Sequence, residues 1–400
     1  MNTIVTVVAA HSDYNFFSRL AKTIESLGHS VVFLTPKLSI FITSKLAGFH
    51  CYLIHNSTNT AITEDVMHTN EVAGNIVDIH SAAVFYNAVQ ELAAKIHGIS
   101  KIDLVTVWNG SSIPTKALVQ FAHHNGIKTL FLELSNIPGK IFVDPVGVNA
   151  QSLLFSSPDI LEQYSDNDIR RYEEWKNNYL LQKKNEWTTA TAQYQRKINN
   201  YLFLIDVIGV KLMNLPAIGN MNILAKIKEK VLHQGSEPIG DQYNLKNGKY
   251  IFFPMQVSND SQLLFNSPLN NVEGIKYCIK RGLENNLDVV VKPHPAEINE
   301  IIFQQLRALQ QSYSFSIVLE PTMKILEYAS EVITLNSTVG LEAMIIGKKV
   351  TFLGNTFYSF FNEQSLRHYI MGYLVDVDYF SSDPISLKIA QRIMARIELQ

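Results

Sequence analysis

Residues 3 to 10, Thr-Ile-Val-Thr-Val-Val-Ala-Ala, are apolar or β-branched without alternation, the pattern of a strand covered on both faces in a parallel sheet. The period then changes. Between Asn15 and Leu27 the apolar residues Phe16, Leu20, Ile24 and Leu27 recur at spacings of four, four and three, which predicts a helix, and Gly28 supplies its stop. A second strand is predicted at Ser30–Leu34. The same succession of strand, helix, glycine and strand returns at Leu104–Trp108, Thr115–Asn125, Gly126 and Thr129–Leu132. Parallel strands joined by helices need right-handed crossovers, so residues 1–158 predict a doubly wound, Rossmann-like sheet.

From Asp159 the rhythm lapses. As far as about Lys230 the chain is rich in Glu, Lys, Gln, Asn and Tyr, with aromatics at helical spacing, and residues 159–248 are expected to form a helical insert and interdomain connection. A second rhythm opens with a strand at Tyr250–Phe253, a helix near Asn271–Asn285 and a strand at Asp288–Val291. It continues with a helix over Asn299–Gln311, a strand at Phe315–Leu319, a short helix before Ser330, and strands at Val332–Leu335 and Lys349–Phe352. Residues 249–400 therefore predict a second Rossmann-like domain. An α/β chain with two such domains facing a central cleft is GT-B-like, and open α/β sheets bind ligands beyond the carboxyl ends of their strands.

Composition narrows the class. A chain of 400 residues, 46% hydrophobic and 18% charged, is long enough for two domains that each bury a core. Its 34 basic and 36 acidic residues leave a formal charge of −2, so no overall field recommends nucleic acid as a partner. Cys51 and Cys278 stand far apart without a companion His/Cys spacing, which argues against a disulfide framework and a structural zinc site. The apolar run Ile4–Ala10 lacks the basic leader and length of a secretory signal, and no stretch approaches the roughly 20 apolar residues of a membrane span. The expected location is the cytoplasm, with a peripheral role at the inner face of the cytoplasmic membrane or in an assembly complex left open. The chain stops at Glu398-Leu399-Gln400 without a terminal signal, which also leaves open that it is one module of a longer protein.

The candidate chemistry lies at predicted strand ends. After Val289–Val291 come Lys292-Pro293-His294-Pro295, a cation and an imidazole on a backbone fixed by two prolines; this suits a rigid phosphate-binding histidine, or a turn whose histidine caps a neighbouring helix. After Val332–Leu335 come Asn336, Ser337 and Thr338 at the start of a helix, where hydroxyls and backbone amides can cap the helix or hold an anion. Glu342, one turn on, could meet a ribose hydroxyl or serve as an acid near the positive helix end. The polar loop behind Pro254 adds Gln256, Asp260 and Ser261 to the nucleotide-sugar candidates. In the first domain, Glu133 ends an apolar strand and Asp144 lies in a Val-Asp-Pro turn; one of them is expected to be the base or nucleophile of a glycosyl transfer. Acceptor contacts are expected from His11, Arg19, Asn109 and Gly110. The triplets Asp166/Asp168 and Asp376/Asp378 are weak metal candidates, and zinc-protease, P-loop, dinucleotide and serine-hydrolase motifs are missing from the sequence.

Taken together these motifs resemble the capsule polysaccharide biosynthesis family of the KpsS and KpsC kind. The likeness runs in order through Phe17-Ser18-Arg19-Leu20, Gly28-His29, Trp108-Asn109-Gly110, Glu133, Asp144-Pro145 and Gly147-Val148-Asn149. It continues through Pro254-Met255-Gln256-Val257, Asp260-Ser261, Lys292-Pro293-His294-Pro295, and Asn336-Ser337-Thr338-Val339-Gly340 with Glu342-Ala343. After Glu133 the family usually shows Asn-Gly or Asp-Gly, where this chain has Leu134-Ser135. The resemblance implies a retaining β-Kdo transferase that uses CMP-Kdo (Kdo, 3-deoxy-D-manno-oct-2-ulosonic acid) and a saccharide or lipid-linked saccharide acceptor. Glu133 would be the carboxylate nucleophile, with Asp144 the alternative, and His294 would serve the leaving phosphate. A single phosphate needs no divalent ion if a histidine, two hydroxyls and a helix N-terminus neutralise it, so no metal or other cofactor is expected. The competing readings are a transferase using CMP-sialic acid or a UDP-sugar, and a non-catalytic module that binds glycan or scaffolds an assembly.

Overall fold

The computed structural model describes residues 2–165, 168–185, 200–217, 240–257, 261–295 and 300–400. The chain folds as two compact units. The first comprises Met1–Leu161, Lys197–Ile223 and Gly372–Gln400. Its sheet contains β1 (Thr3–Val7), β2 (Ser30–Thr35), β3 (His50–Leu53), β4 (Leu104–Trp108), β5 (Lys128–Leu134), β6 (Lys140–Asp144) and β12 (Val375–Asp376), in the order β12-β6-β5-β4-β1-β2-β3. Strands β3 to β5 of that row are parallel, with Val5 opposite both Val32 and Val105, while β6 and β12 run antiparallel. Ile4, Val5 and Val7 are buried, as an unalternating strand between two helical layers requires.

The first helix starts at His11, four residues ahead of its apolar pattern, because its opening turn is polar. Periodicity is blind to such a turn, although Asp13 there suits the positive end of the helix. Phe16, Leu20 and Ile24 then pack into the first core together with Val375, Val377, Tyr379, Ile385, Ala390 and Ile393. That contact corrects the division at residue 249. The chain from Gly372 onward belongs to the first unit, where two-residue β12 pairs with β6 and an amphipathic helix, Leu387–Met394, covers the core. Elements this short carry no readable period.

The second unit, Glu162–Arg196 and Leu224–Met371, has β7 (Tyr250–Pro254), β8 (Asp288–Lys292), β9 (Ser316–Ile317), β10 (Glu331–Thr334) and β11 (Lys349–Phe352) in one parallel sheet of order β11-β10-β7-β8-β9. The helix Asn271–Asn285 has the bounds its pattern predicts, set by an Asn270/Glu273 capping box. The helix Thr338–Ile345 lies close to β11 because residue 340 is glycine; an added Cβ would strike the Phe352 ring.

Residues 159–248 do not form a separate insert: the helix Ile169–Asn185 belongs to the second unit and the helix Asn200–Met213 to the first. Both sheets share the Rossmann succession, third-second-first-fourth-fifth strand in chain order, so the fold has the parts of a GT-B protein. In each, the crossovers part at one place: between β1 and β4 in the first unit and between β7 and β10 in the second. Ligands of open α/β sheets bind outside the strand ends at such switch points. Among the described residues no helix is long and apolar enough to cross a membrane.

Candidate functional site

In the first unit, His11, Asn109 and Glu133 follow or end the adjacent strands β1, β4 and β5. Asn109 (φ 65°) and Gly110 (φ 85°) turn the chain left-handed as it leaves β4. Glycine is required at 110 for a second reason, since an added Cβ would lie 2.6 Å from the Phe131 ring. The turn aims the Asn109 amide at Glu133, with Nδ2 donating to Oε1 at 2.9 Å and to Oε2 at 3.0 Å. Glu133 is thereby oriented while remaining half-buried. The Leu134-Ser135 pair that follows it is turn chemistry: Ser135 Oγ donates to the carbonyl of Lys140 at 2.7 Å and closes the β5–β6 hairpin.

His11 meets a buried partner that sequence spacing does not reveal. Its Nε2 lies 3.1 Å from Ser39 Oγ and 3.9 Å from Asp206 Oδ2, and Asp206 Oδ1 accepts the Ser39 backbone N–H at 2.9 Å. Burial works to raise the Asp206 pKa, but hydrogen bonds from His11 and Ser39, with Lys37 nearby, hold it below the ordinary carboxylate value. Glu71 was also beyond sequence reading, since it sits in a four-residue helix without a period. Its Oε2 accepts the Ile113 N–H at 3.0 Å at the start of the helix Ile113–His124, and burial raises its pKa.

Two expected residues of this unit serve the fold instead. Arg19 donates to the carbonyls of Asp383 (2.9 Å), Asp378 (2.8 Å) and Tyr379 (3.0 Å), with its guanidinium 5.6 Å from the centre of the Phe16 ring. It braces the returning C-terminal segment and is not an acceptor contact. Asp144 is 0% exposed. Its Oδ1 accepts from the amides of Val146 (2.9 Å), Gly147 (3.1 Å) and Leu153 (2.9 Å), and its Oδ2 from Leu154 N (3.2 Å) and the Tyr373 hydroxyl (3.1 Å). Five donors on a sealed carboxylate make an anchor for the loop behind β6, not a nucleophile. The triplet of Asp376 and Asp378 is likewise structural: Asp376 pairs with Lys140 and with Arg392 at 3.6 Å, and Asp378 accepts the Phe380 N–H at 2.8 Å.

In the second unit, Gln256 and Asn336 stand at the switch point, 7% and 8% exposed. Gln256 Nε2 donates to Asn336 Oδ1 at 2.8 Å, its Oε1 accepts the Asn336 N–H at 3.1 Å, and its own backbone exchanges hydrogen bonds with the Asn271 side chain at 3.1 and 2.8 Å. The pair ties the ends of β7 and β10 together; as bonded here, both side chains hold the loops and are not ligand contacts. Beside them Ser337 caps the helix Thr338–Ile345, its Oγ accepting the Val339 N–H at 3.2 Å, and Thr338 is exposed on the first turn.

Past the end of β8, Pro293 is buried, His294 half-buried and Pro295 exposed. Lys292 Nζ donates to the carbonyl of Glu320 at 2.6 Å and to Thr322 Oγ1 at 3.1 Å. Burial pulls this ammonium down to about 8, against the opposing influence of Glu320 and Glu342. Glu342 Oε1 in turn takes Lys183 Nζ at 2.9 Å and the Tyr179 hydroxyl at 3.4 Å, both from the helix Ile169–Asn185. Ser261 begins the helix Ser261–Asn266, while Asp260 and Asp166 lie outside the described residues.

The profile of a family described as capsule polysaccharide biosynthesis protein matches residues 105–362. Protein FixF of Sinorhizobium fredii is 25% identical over 260 residues, 64% of this chain and 49% of FixF. The capsule polysaccharide export protein KpsS of Escherichia coli is 28% identical over 120 residues, 28% of this chain and 31% of KpsS. The match thus spans half or less of either relative's length. Among solved structures, the beta Kdo 2,7 transferase of KpsC from Thermosulfurimonas dismutans is 19% identical, with 78% of this chain and 89% of that one covered at a TM-score of 0.40.

Proposed function

Because the chain belongs to the capsule polysaccharide biosynthesis family, we propose that it is a glycosyltransferase moving Kdo from CMP-Kdo to a saccharide or lipid-linked saccharide acceptor in the cytoplasm. The observation that carries this reading is the donor set of the second unit. Among the described residues its strand ends offer the start of the helix Thr338–Ile345 with Ser337 and Thr338, the histidine His294, and Lys292, which is already bonded to Glu320 and Thr322. That set suits one phosphate, the number a CMP-sugar carries, better than the diphosphate of a UDP-sugar. His294 and the Ser337–Thr338 turn bind and neutralise the leaving CMP without a metal ion, and Lys292 supports the loop from behind.

Glu133 is the carboxylate we assign to the chemistry. It is half-buried, and Asn109 holds it by both oxygens. In the first step its carboxylate bonds to the anomeric carbon as the bond to CMP breaks. In the second the acceptor oxygen displaces it, and two inversions give retention.

Calorimetric titration with CMP and then UDP, both in EDTA, tests the donor assignment. Metal-independent CMP binding at least tenfold tighter than UDP is the expected result. UDP binding as tight as CMP, or binding of neither, sinks it.

A further inference from the structure

The donor set and the nucleophile proposed above leave the polar cluster at the end of β1 unused. His11 opens the first helix beside the switch point, its side chain 35% exposed, while Ser39 and Asp206 behind it are buried. The three come from separate elements: Ser39 from the helix Leu38–Leu46 and Asp206 from the helix Asn200–Met213. Those two helices pack closely where residue 209 is glycine, since an added Cβ there would lie 2.9 Å from Leu38 Cβ. A buried aspartate is costly to desolvate unless it is well bonded. Here it takes the Ser39 N–H on one oxygen at 2.9 Å, while His11 Nε2 lies 3.9 Å from the other oxygen and 3.1 Å from Ser39 Oγ. An ionised carboxylate only accepts, so its nearness favours the proton on Nε2 and leaves Nδ1 to accept.

We infer that His11 is the base that deprotonates the acceptor hydroxyl, with Asp206 a positioning residue acting through Ser39. This rests on the glycosyl-transfer reading above. In the second half-reaction the acceptor O–H bond breaks and its proton passes to His11 Nδ1. The acceptor oxygen bonds to the anomeric carbon, and the bond from that carbon to the Glu133 carboxylate breaks. Asp206, 3.9 Å from Nε2, offsets the imidazolium that results; Lys37 is the cation that bears on Asp206, and Asp13, on the first helix with His11, is held by the Tyr379 hydroxyl at 2.6 Å. Nothing in the first half-reaction requires this proton acceptor.

The test separates the two half-reactions. Enzyme is mixed with CMP-Kdo alone, and the burst of CMP is read by rapid quench; transfer is then read with an octyl Kdo glycoside as acceptor probe. His11→Gln should give a CMP burst within about threefold of wild type and transfer lowered at least ~100-fold, the range for loss of a general base. His11→Gly should regain at least tenfold in transfer with added imidazole, a response that damage to the fold does not produce. Asp206→Asn should lower transfer about tenfold and keep the burst. Transfer by His11→Gln at more than a third of the wild-type rate, or equal loss of burst and transfer without imidazole rescue, overturns the assignment to His11 alone. Absence of any CMP release by wild type overturns it together with the transferase reading.

Discussion

Asp144→Asn distinguishes an anchoring carboxylate from a reacting one. In the wild type Oδ1 accepts three backbone N–H groups and Oδ2 accepts the Leu154 N–H and the Tyr373 hydroxyl. An asparagine in the same pose keeps its oxygen where Oδ1 was, so three bonds survive without the charge that strengthened them, a loss of about 1 kcal/mol each at most. Its NH₂ group then faces the Leu154 N–H, donor against donor, and a buried N–H without an acceptor costs about 1–3 kcal/mol. Tyr373 recovers its bond by accepting instead of donating. The losses share one loop and do not add fully, so roughly 4 kcal/mol is expected. For a unit of this size each kcal/mol lowers the midpoint by about 2–4 °C, which makes the drop about 10 °C. Calorimetric unfolding reads the first unit's transition, and transfer assayed well below it reads the chemistry. The reasoning predicts a destabilised variant that still transfers Kdo at low temperature. A variant with the wild-type midpoint and no transfer would refute it and move the nucleophile from Glu133 to Asp144.

Glu133→Gln should bind CMP as wild type does and lose the CMP burst by at least ~1000-fold, read by rapid quench; an active variant with normal burst removes Glu133 from the reaction. Gln256→Ala removes the donor to the buried Asn336 Oδ1 and the acceptor of the Asn336 N–H, so the second unit should lose about 1–3 kcal/mol by chemical denaturation even without nucleotide. Lys292, ordinarily near 10.5, sits near 8 in the fold. The unfolded chain therefore binds more protons between those values, and stability should rise with pH from about 8 to 10.5 in wild type relative to Lys292→Met. Parallel stability–pH curves for the two proteins would contradict the burial of that ammonium.

How much of this was legible in the sequence depends on the length of each signal. The helix predicted near Asn271–Asn285 has those bounds, and the structure shows an Asn270/Glu273 capping box and an αL Asn286 setting its ends. The strands β1, β4, β7, β8 and β10 were visible as unbroken apolar runs. The two-residue β12, the polar opening turn of the first helix and the Asn70–Ala73 helix around Glu71 have no period to read. The motifs at strand ends were found by their chemistry, but partners far along the chain were not: nothing near Asp144 in sequence announces Tyr373, and nothing near His11 announces Asp206.

Those distant partners divide the residues that carry the family likeness. Arg19, Gly110, Asp144, Gln256, Asn336 and Gly340 are each consumed by the fold, through hydrogen bonds to the chain or through a backbone approach that excludes a side chain. Such residues would be required equally of a transferase and of a module that only binds glycan, so they carry no weight between the two. Glu133 is different. Holding it makes Asn109 spend its amide on both carboxylate oxygens while its own Oδ1 stays buried without a partner. A fold that merely needed to fill this strand end could place an apolar residue there at lower free energy. An unsatisfied acceptor kept beside one half-buried carboxylate is a cost that an aimed group explains, and this arrangement, rather than the length of the likeness, favours the enzyme over the scaffold.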